Sequence, residues 1–94
     1  MLNQVILIGK LVWVYDQGIT LKVERNEKTT EGKFEYDIIS VGIETALFNK
    51  SKKFLDADKD ITIGVKARLI SEGDDHSVLK LMADKMTFLP NKTM

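Results

Sequence analysis

The spacing of apolar residues along this chain departs from strand alternation in one stretch. In most of the sequence apolar and polar residues alternate, most clearly over 61–69, where Thr62, Lys66 and Arg68 lie opposite the apolar face. Between Thr45 and Leu55 the apolar residues instead recur at helical spacing. Alternating segments precede and follow this stretch. The chain is therefore predicted to be an all-β protein with one short helix.

Turn-forming residues divide the alternating segments into five strands. Asp16-Gln17-Gly18 separates strands 1 and 2, and the polar stretch 26–33 separates strands 2 and 3. Glu72-Gly73-Asp74-Asp75 separates strands 4 and 5. The strands are predicted at residues 3–15, 19–25, 34–43, 61–69 and 78–89. This order predicts a five-stranded Greek-key barrel of the OB type, with the helix between strands 3 and 4. A small α+β sandwich is the alternative that the pattern leaves open.

The core is predicted from the apolar faces of the strands, and the first strand is apolar on both faces. Its two faces carry Val5, Leu7 and Leu11 and, opposite them, Ile6, Ile8 and Val12. Such a strand is predicted to have one face in the core and the other beneath a neighbouring element or subunit. Gly9 predicts a bulge or a sharp bend at a corner of the barrel. The aromatic residues assigned to the core are Phe48, Phe54 and Phe88.

Length and charge restrict the possible functions. With 94 residues the chain has room for one domain, predicted at 1–90 and followed by a short tail at 91–94. The formal net charge is zero, so a basic surface for nucleic acid can arise only from the placement of the charges. The first apolar run lacks a basic leader and is interrupted by Gly9 and Lys10, so no signal peptide, membrane span or membrane partner is predicted. The absence of cysteine fits a cytoplasmic protein.

No constellation of residues points to catalysis. Asp56, Asp58 and Asp60 form one acidic cluster, and Asp74-Asp75-His76 places carboxylates beside the one histidine of the chain. Both runs fall in predicted loops, whereas catalytic groups converge from separate elements. With no cysteine and one histidine, thiolate and multi-histidine metal sites are excluded. The chain is therefore predicted not to be an enzyme and to hold no cofactor or metal.

Several segments resemble one known family. Residues 1–11, Met-Leu-Asn-Gln-Val-Ile-Leu-Ile-Gly-Lys-Leu, resemble the start of bacterial single-stranded DNA-binding proteins. Segments 20–25, 37–55, 64–69 and 83–89 are similar, in the same order, to the family's second strand, third strand with helix, fourth strand and fifth strand. The resemblance covers nearly the whole chain, and its first segment is the most specific.

The resemblance implies an OB fold that assembles into a homodimer or homotetramer. It also implies binding of single-stranded DNA without sequence preference in replication, recombination or repair, with replication or recombination proteins as further partners. The chain departs from the family in a shorter loop at 14–19 and in lacking an acidic tail, because the sequence ends at Met94. We therefore expect a short member that recruits no enzymes through a tail.

DNA binding of this kind needs cations for the phosphates and aromatic rings for the bases. The residues predicted to contact phosphates are Lys10, Lys22, Arg25, Lys33, Lys66 and Arg68. Those predicted to stack on bases are Trp13, Phe34 and Tyr36, and Tyr15 is a further candidate. At positions where the family places aromatic residues, this chain has Ile38, Glu44 and Asp74.

Two alternatives to strong DNA binding stay open. Acidic residues interleave with the basic ones, and the usual aromatic residues are absent, which also fits an OB module that binds protein and has weak or no affinity for DNA. A subunit that forms mixed oligomers with a tailed relative is the second alternative. The charge balance predicts that any DNA binding by this chain is weak and sensitive to salt.

Overall fold

The computed structural model describes residues 3–90, which form five strands, one α-helix and a 3₁₀ turn. Their bounds are β1 (Val5–Tyr15), β2 (Gly18–Lys28), β3 (Phe34–Ile43), α1 (Thr45–Ser51), the 3₁₀ turn (Lys52–Phe54), β4 (Ile61–Glu72) and β5 (Val78–Pro90). The predicted order of elements is confirmed, and the helical stretch predicted at 45–55 ends in a tighter turn. The predicted tail, 91–94, lies outside the described residues.

Within residues 3–90 the strands form a closed barrel in the order β1-β2-β3-β5-β4. Neighbouring strands are antiparallel except β3 and β5, which run parallel where Gly42 pairs with Met82. β1 closes the barrel because it pairs with β4 over Val5–Lys10 and with β2 over Lys10–Tyr15. The five-stranded barrel with a helix between β3 and β4 is thus confirmed, and the α+β sandwich is excluded.

The bulge in β1 lies at Val12 rather than at Gly9. The register between β1 and β2 shifts between Leu11 and Trp13, so Val12 is the extra residue. Gly9 is buried beside the point where β1 changes partner, and a Cβ atom there would lie 2.7 Å from the carbonyl oxygen of Lys22. Glycine is required at this position because β2 approaches so closely. The extra residue also reverses the alternation that follows, which turns the Trp13 side chain outward.

Inward side chains of the strands form one core. Its most deeply buried members are Leu11, Ile19, Leu21, Val41, Ile43, Ile63 and Val65. Phe48 and Phe88 pack against this cluster, as the sequence predicts. The assignment of Phe54 to the core is wrong, since about half of the residue is exposed at the end of the 3₁₀ turn. Its ring lies on the outside of Phe88, with 5.4 Å between the ring centroids.

β4 is longer than predicted and extends with β5 beyond the rest of the barrel. It pairs with β1 only as far as Ala67, whereas its pairing with β5 continues to Glu72. Leu69, on the apolar face of 61–69 that is predicted to point into the core, is therefore 42% exposed. The Asn3 side chain hydrogen-bonds the carbonyl oxygen and the N–H of Leu69 at 2.6 and 3.0 Å, which ties the start of the described chain to β4. No helix in residues 3–90 is long and apolar enough to cross a membrane.

Candidate nucleic-acid interface

Outward side chains of β1, β2 and β3 lie next to one another on one surface of the barrel. Lys22 of β2 is the register partner of Ile38 on β3 and of Lys10 on β1. One step further along the same faces, Glu24 is the partner of Tyr36. The register therefore brings two predicted phosphate contacts, Lys10 and Lys22, next to a predicted stacking residue, Tyr36.

The bulge in β1 adds two more rings to this surface. After the register shift Trp13 is the partner of Thr20 and Tyr15 is the partner of Gly18, both on the outward face of β2. We call the combined surface the aromatic track; its members are Lys10, Trp13, Tyr15, Lys22, Tyr36 and Ile38.

The rings of the aromatic track are accessible to a ligand. The exposed fractions are 69% for Trp13, 51% for Tyr36 and 45% for Tyr15. Tyr36 lies at one end of the aromatic track and Tyr15 at the other. Between them β3 extends about 20 Å from Tyr36 to Gly42, the register partner of Gly18, on which Tyr15 lies. Trp13 therefore does not pack in the core.

Lys22 and Tyr36 hold each other in place. The Lys22 ammonium lies 4.1 Å from the centroid of the Tyr36 ring, a cation–π contact that fixes both side chains. Ile38, in the position where the resemblance places an aromatic residue, is 54% exposed beside them. The ammonium therefore covers one face of the Tyr36 ring, and a base that stacks on this face must displace it, while Ile38 itself provides no ring.

Lys10 and Lys22 face each other directly across β1 and β2, where like charges repel. Asp60 forms an ion pair with Lys10 at 2.8 Å and relieves part of this repulsion. A groove of about 380 Å³ runs between the two lysines and is lined as well by Ile8, Glu24 and Thr62. An anion between the lysines would relieve the repulsion further.

Arg25, a predicted phosphate contact, is already held by two carboxylates of β3. Its guanidinium lies 2.7 Å from Asp37 and 2.8 Å from Glu35. The hydrogen bond with Asp37 is the main cause that raises the pKa of Arg25, and the same bond lowers the pKa of Asp37. A phosphate must displace these carboxylates before it can bind Arg25.

Arg68 is paired in the same way at the opposite end of the barrel. It forms ion pairs with Glu44, at 3.1 Å, and with Asp84. Its register partner on β5 is Met82, which in turn pairs with Gly42 of β3. Arg68 therefore lies near the Tyr15 end of the aromatic track, but with its charge balanced.

The remaining predicted residues are not brought onto the aromatic track. Lys33 lies in the loop between β2 and β3, beside Glu31 and Glu35. Lys66 lies on the outward face of β4, opposite Lys85 of β5. The side chain of Phe34 lies outside the part of the structure that is described, so its proposed stacking stays a prediction.

Solved structures with the same architecture include single-stranded DNA-binding proteins. A deletion mutant of such a protein from Thermus aquaticus matches 97% of this chain with a TM-score of 0.69 and 20% sequence identity. This chain has the OB fold. It spans 52% of the Thermus chain, about half its length.

Two shorter structures with the OB fold match along their whole length. The mitochondrial single-stranded DNA-binding protein Rim1 from S. cerevisiae matches with a TM-score of 0.62 and 9% identity over 98% of each chain. A small single-stranded DNA-binding protein from Mycoplasma pneumoniae matches with a TM-score of 0.58 and 17% identity, over 99% of this chain and 100% of its own. The sequence matches no protein-family model and no curated protein sequence.

Lys80 is a cation near the aromatic track that the sequence analysis did not identify. It extends across Gly42, so that a Cβ atom on this glycine would lie 3.0 Å from Cε of Lys80. Its ammonium is 3.9 Å from Glu72, a long ion pair. The parallel pairing of β3 with β5 brings Lys80 here, and no local pattern of β5 indicates that pairing.

A second exposed surface of the OB barrel lies on β1, β4 and β5. Its centre is apolar, with Ile6 67% exposed, Ile8 61% and Leu89 49%. We call it the apolar patch; its members are Ile6, Ile8, Gly64, Lys66, Lys85, Thr87 and Leu89. Nothing in residues 3–90 covers this outer face of β1.

The acidic clusters do not assemble into a metal site. The described residues contain no group of three or more His, Cys, Asp or Glu side chains placed to hold a metal ion. In the first cluster Asp60 pairs with Lys10, and Asp56 accepts a hydrogen bond from the N–H of Asp58 at 3.0 Å. In the second cluster, hydrogen bonds from the side chain and backbone of Ser77 lower the pKa of Asp75.

Proposed function

We propose that this chain binds single-stranded DNA without general sequence preference, in replication, recombination or repair in the cytoplasm. One observation carries the proposal: three exposed rings, Trp13, Tyr15 and Tyr36, share a surface of an OB barrel with Lys10 and Lys22. Rings that stack on bases and cations that meet phosphates are the two requirements of such binding. The similar structures described above are named as single-stranded DNA-binding proteins, which agrees with the proposal.

In the proposed complex, bases stack on Tyr36 and Trp13 while phosphates lie against Lys22 and Lys10. Each base that stacks on a ring contributes about 1–3 kcal/mol. Stacking is therefore expected to supply most of the affinity. Lys10 already forms an ion pair with Asp60, and the ammonium of Lys22 already makes a cation–π contact with the Tyr36 ring. In a strongly basic protein, by contrast, contacts with phosphates supply most of the affinity.

The other predicted cations contribute less in this proposal. Arg25 and Arg68 gain a phosphate only by releasing carboxylates, so much of the gain is offset. Lys33 and Lys66 make no ion pair within residues 3–90 and contact the strand only where it leaves the aromatic track. Because Lys66 belongs to the apolar patch, its contact with the strand requires that its ammonium stay outside any interface formed there. We therefore keep all four as predicted phosphate contacts of secondary importance.

We also propose that the chain forms a homodimer through the apolar patch, or a homotetramer built from two such dimers. The segment 5–8 of β1 pairs with β4 on one side, and among the described strands none pairs with its other edge. An open strand edge beside an exposed apolar face favours pairing with an identical strand about a two-fold axis. Burial of Ile6 and Ile8 would then fulfil the prediction that a neighbouring subunit covers the outer face of β1.

A protein-binding OB module is a second candidate function. The observation that favours it is the pairing of Lys10, Arg25 and Arg68 with carboxylates, which weakens the attraction of the surface for a polyanion. On this alternative the exposed rings would contact protein, since aromatic residues are also enriched in the centres of protein interfaces.

Titration of a fluorescent oligothymidylate, followed by anisotropy at low salt, distinguishes the two functions. We expect binding at micromolar protein and a loss of about tenfold in affinity for Tyr36→Ala. Leu79→Ala is the control, because Leu79 is also a large exposed side chain, at 70%, but is aliphatic and lies on the β4–β5 hairpin. An absence of binding, or an equal loss for both variants, would reject the DNA proposal in favour of the protein-binding module.

A further inference from the structure

A groove opens at one end of the aromatic track, where the turn between β1 and β2 meets the start of α1. Its volume is about 450 Å³, within the range of sites that hold small ligands. Its lining includes Tyr15, Gln17, Gly42, Glu44, Lys80 and Met82. We call it the Tyr15 groove.

Two glycines allow side chains of the Tyr15 groove to lie close against the sheet. Gly18 and Gly42 are register partners on β2 and β3. A Cβ atom on Gly18 would overlap the Tyr15 ring, so the ring lies directly on the backbone there. The alkyl chain of Lys80 crosses the backbone at Gly42 in a similar way. The Tyr15 ring and the Lys80 alkyl chain therefore lie against the backbone at the two glycines, and the exposed face of the ring offers a flat surface for a planar heterocycle.

The rim of the Tyr15 groove has a fixed shape. Gln17 adopts a left-handed backbone conformation, with φ of 58°, which residues other than glycine rarely take. The side-chain amide of Gln17 donates a hydrogen bond to Thr45 Oγ1 at 2.6 Å. The backbone carbonyl oxygen of Gln17 accepts a hydrogen bond from the N–H of Ile43 at 2.8 Å. These bonds tie the turn to α1. A rim that is ordered before binding loses little entropy when a ligand enters.

Glu44 places a carboxylate at the Tyr15 groove, and Arg68 orients it. Arg68 Nη2 lies 3.1 Å from Oε1 of Glu44, while its Nη1 contacts Asp84. The Glu44 side chain is still 64% exposed, and each carboxylate oxygen has two acceptor sites. Glu44 can therefore accept two further hydrogen bonds without leaving Arg68.

We propose that the Tyr15 groove binds one guanine base of a bound single strand, with the base stacked on Tyr15 and its Watson–Crick edge against the carboxylate of Glu44. The proposal rests on the DNA binding proposed above and adds a preference at one position. Bases of single strands are commonly bound by stacking on a ring combined with hydrogen bonds to this edge. Lys80, at the opposite side, places its ammonium near the adjoining phosphate.

Guanine fits the Glu44 carboxylate better than the other DNA bases do. It has two adjacent donors, N1–H and the N2 amine, which match the two oxygens of a carboxylate. Adenine and cytosine place an acceptor beside their amine, and thymine has carbonyl groups on both sides of its N–H. Each of these bases therefore turns a lone pair towards Glu44, which a site built from acceptors rejects. In this arrangement Arg68 also acts as a positioning residue, because it orients the carboxylate of Glu44.

Competition against a labelled oligothymidylate tests the proposal. The competitors are unlabelled oligothymidylates of equal length with a guanine, or hypoxanthine as in deoxyinosine, at the 5′ or at the 3′ end. Hypoxanthine stacks like guanine but lacks the N2 amine. We expect guanine at one of the two ends to improve affinity about tenfold over thymine, and hypoxanthine to lose most of that gain.

Two variants separate recognition by Glu44 from a general effect on folding or charge. In Glu44→Gln the preference for guanine over hypoxanthine should disappear, while affinity for oligothymidylate is kept or rises because a negative charge is removed. Asp84→Asn, the matched control, alters the other carboxylate at Arg68 and should keep the preference. Normal binding of oligothymidylate with no gain from guanine at either end would overturn this proposal alone. Failure of every oligonucleotide to bind would reject the proposed function and this inference together.

Discussion

The aromatic track and the apolar patch are both exposed and partly apolar, but they differ in the shape of their side chains. The aromatic track has planar rings separated by polar residues, whereas the apolar patch has the branched side chains of Ile6, Ile8 and Leu89 side by side. Rings stack on bases one at a time. Aliphatic side chains interdigitate with other aliphatic side chains, as in homodimer interfaces. The comparison supports DNA on the first surface and a second copy of the chain on the other.

β1 contributes to both surfaces, and its bulge is what separates them. Before the bulge, Ile6 and Ile8 point outward next to β4; after it, Trp13 and Tyr15 point outward next to β2. Without Val12 as an extra residue, the alternation would turn Trp13 into the core. One inserted residue thus allows a single strand to supply aliphatic side chains to one surface and rings to the other.

The largest expected effect comes from removing two rings of the aromatic track together. The double variant Trp13→Ala with Tyr36→Ala should lower affinity for oligothymidylate about a hundredfold, because the two stacking contributions add when the sites are well separated. Anisotropy titration at low salt gives the ratio. The control, Ile6→Ala with Leu89→Ala on the apolar patch, should change the affinity of each binding site less than threefold. Equal losses in the two variants would remove the distinction between the surfaces.

The second prediction concerns the apolar patch. Ile8→Lys should convert the dimer to a monomer at micromolar concentration, since the two-fold axis would bring two buried ammonium groups together. Sedimentation velocity measures this as at least a tenfold rise in the dissociation constant. Leu79→Lys, a similar change on the hairpin, should leave the dimer intact. A wild-type chain that sediments as a monomer would show that the apolar patch has another role.

Much of the fold could be predicted from the sequence because apolar alternation encodes it locally. The strands, the helix after β3 and inward residues such as Ile19, Val41 and Ile63 follow from that pattern. The bulge could not be located, since Val12 differs in no local way from its apolar neighbours. Gly9 is the residue that indicates a bulge most strongly in the sequence. In the structure it instead allows the close approach of β2, which depends on closure of the barrel.

The types of residue in the candidate site could be predicted from the sequence, but the ion pairs that its cations form could not. Tyr36 and the lysines could be selected from strand parity, whereas Trp13 and Tyr15 have the parity of the core-facing residues of β1 and point outward only because of the bulge. The ion pairs of Arg25 with Asp37 and of Arg68 with Glu44 depend on which strands meet and in what register. A sequence that alternates basic and acidic residues fits both a basic groove and a balanced one, and only the register decides between them.

The third prediction tests the segment of β1 where the two surfaces meet. Gly9→Ala should reduce the free energy of unfolding by about 2 kcal/mol, because its Cβ atom would lie 2.7 Å from the backbone oxygen of Lys22, an atom that cannot move aside independently. Urea denaturation measures the change. Gly64→Ala on the apolar patch is the control: its nearest neighbours lie 4.0 Å away, so the stability should be unchanged or slightly higher. Equal stability of the two variants would contradict the close approach.

The smallest expected effect is a gain of affinity on the aromatic track when Arg25 is released. Asp37→Asn removes its closest carboxylate and should raise affinity for oligothymidylate about threefold at low salt. The slope of log affinity against log salt should become steeper by about 0.7, the increment for one more phosphate contact on a single strand. Asp74→Asn, which makes the same change of charge at the hairpin tip, should leave the slope unaltered. An unchanged slope in Asp37→Asn would mean that Arg25 does not reach the strand.

The pH dependence of DNA binding by the unsubstituted protein also tests whether Arg25 contacts the strand, through the titration of Asp37. Its pKa is lowered by the hydrogen bond from Arg25, so its stabilisation of the fold is complete above the unfolded-state pKa of about 3.9 and is lost as the pH falls through the lower folded value. When a phosphate takes Arg25, the pKa of Asp37 rises towards its ordinary value and binding takes up a proton. Affinity should therefore stay level between neutral pH and about 5, and increase only as the pH falls through about 4 towards the lower folded value of Asp37. Asp37→Asn should lose that part of the increase, and an identical pH profile in both proteins would place Arg25 outside the binding surface.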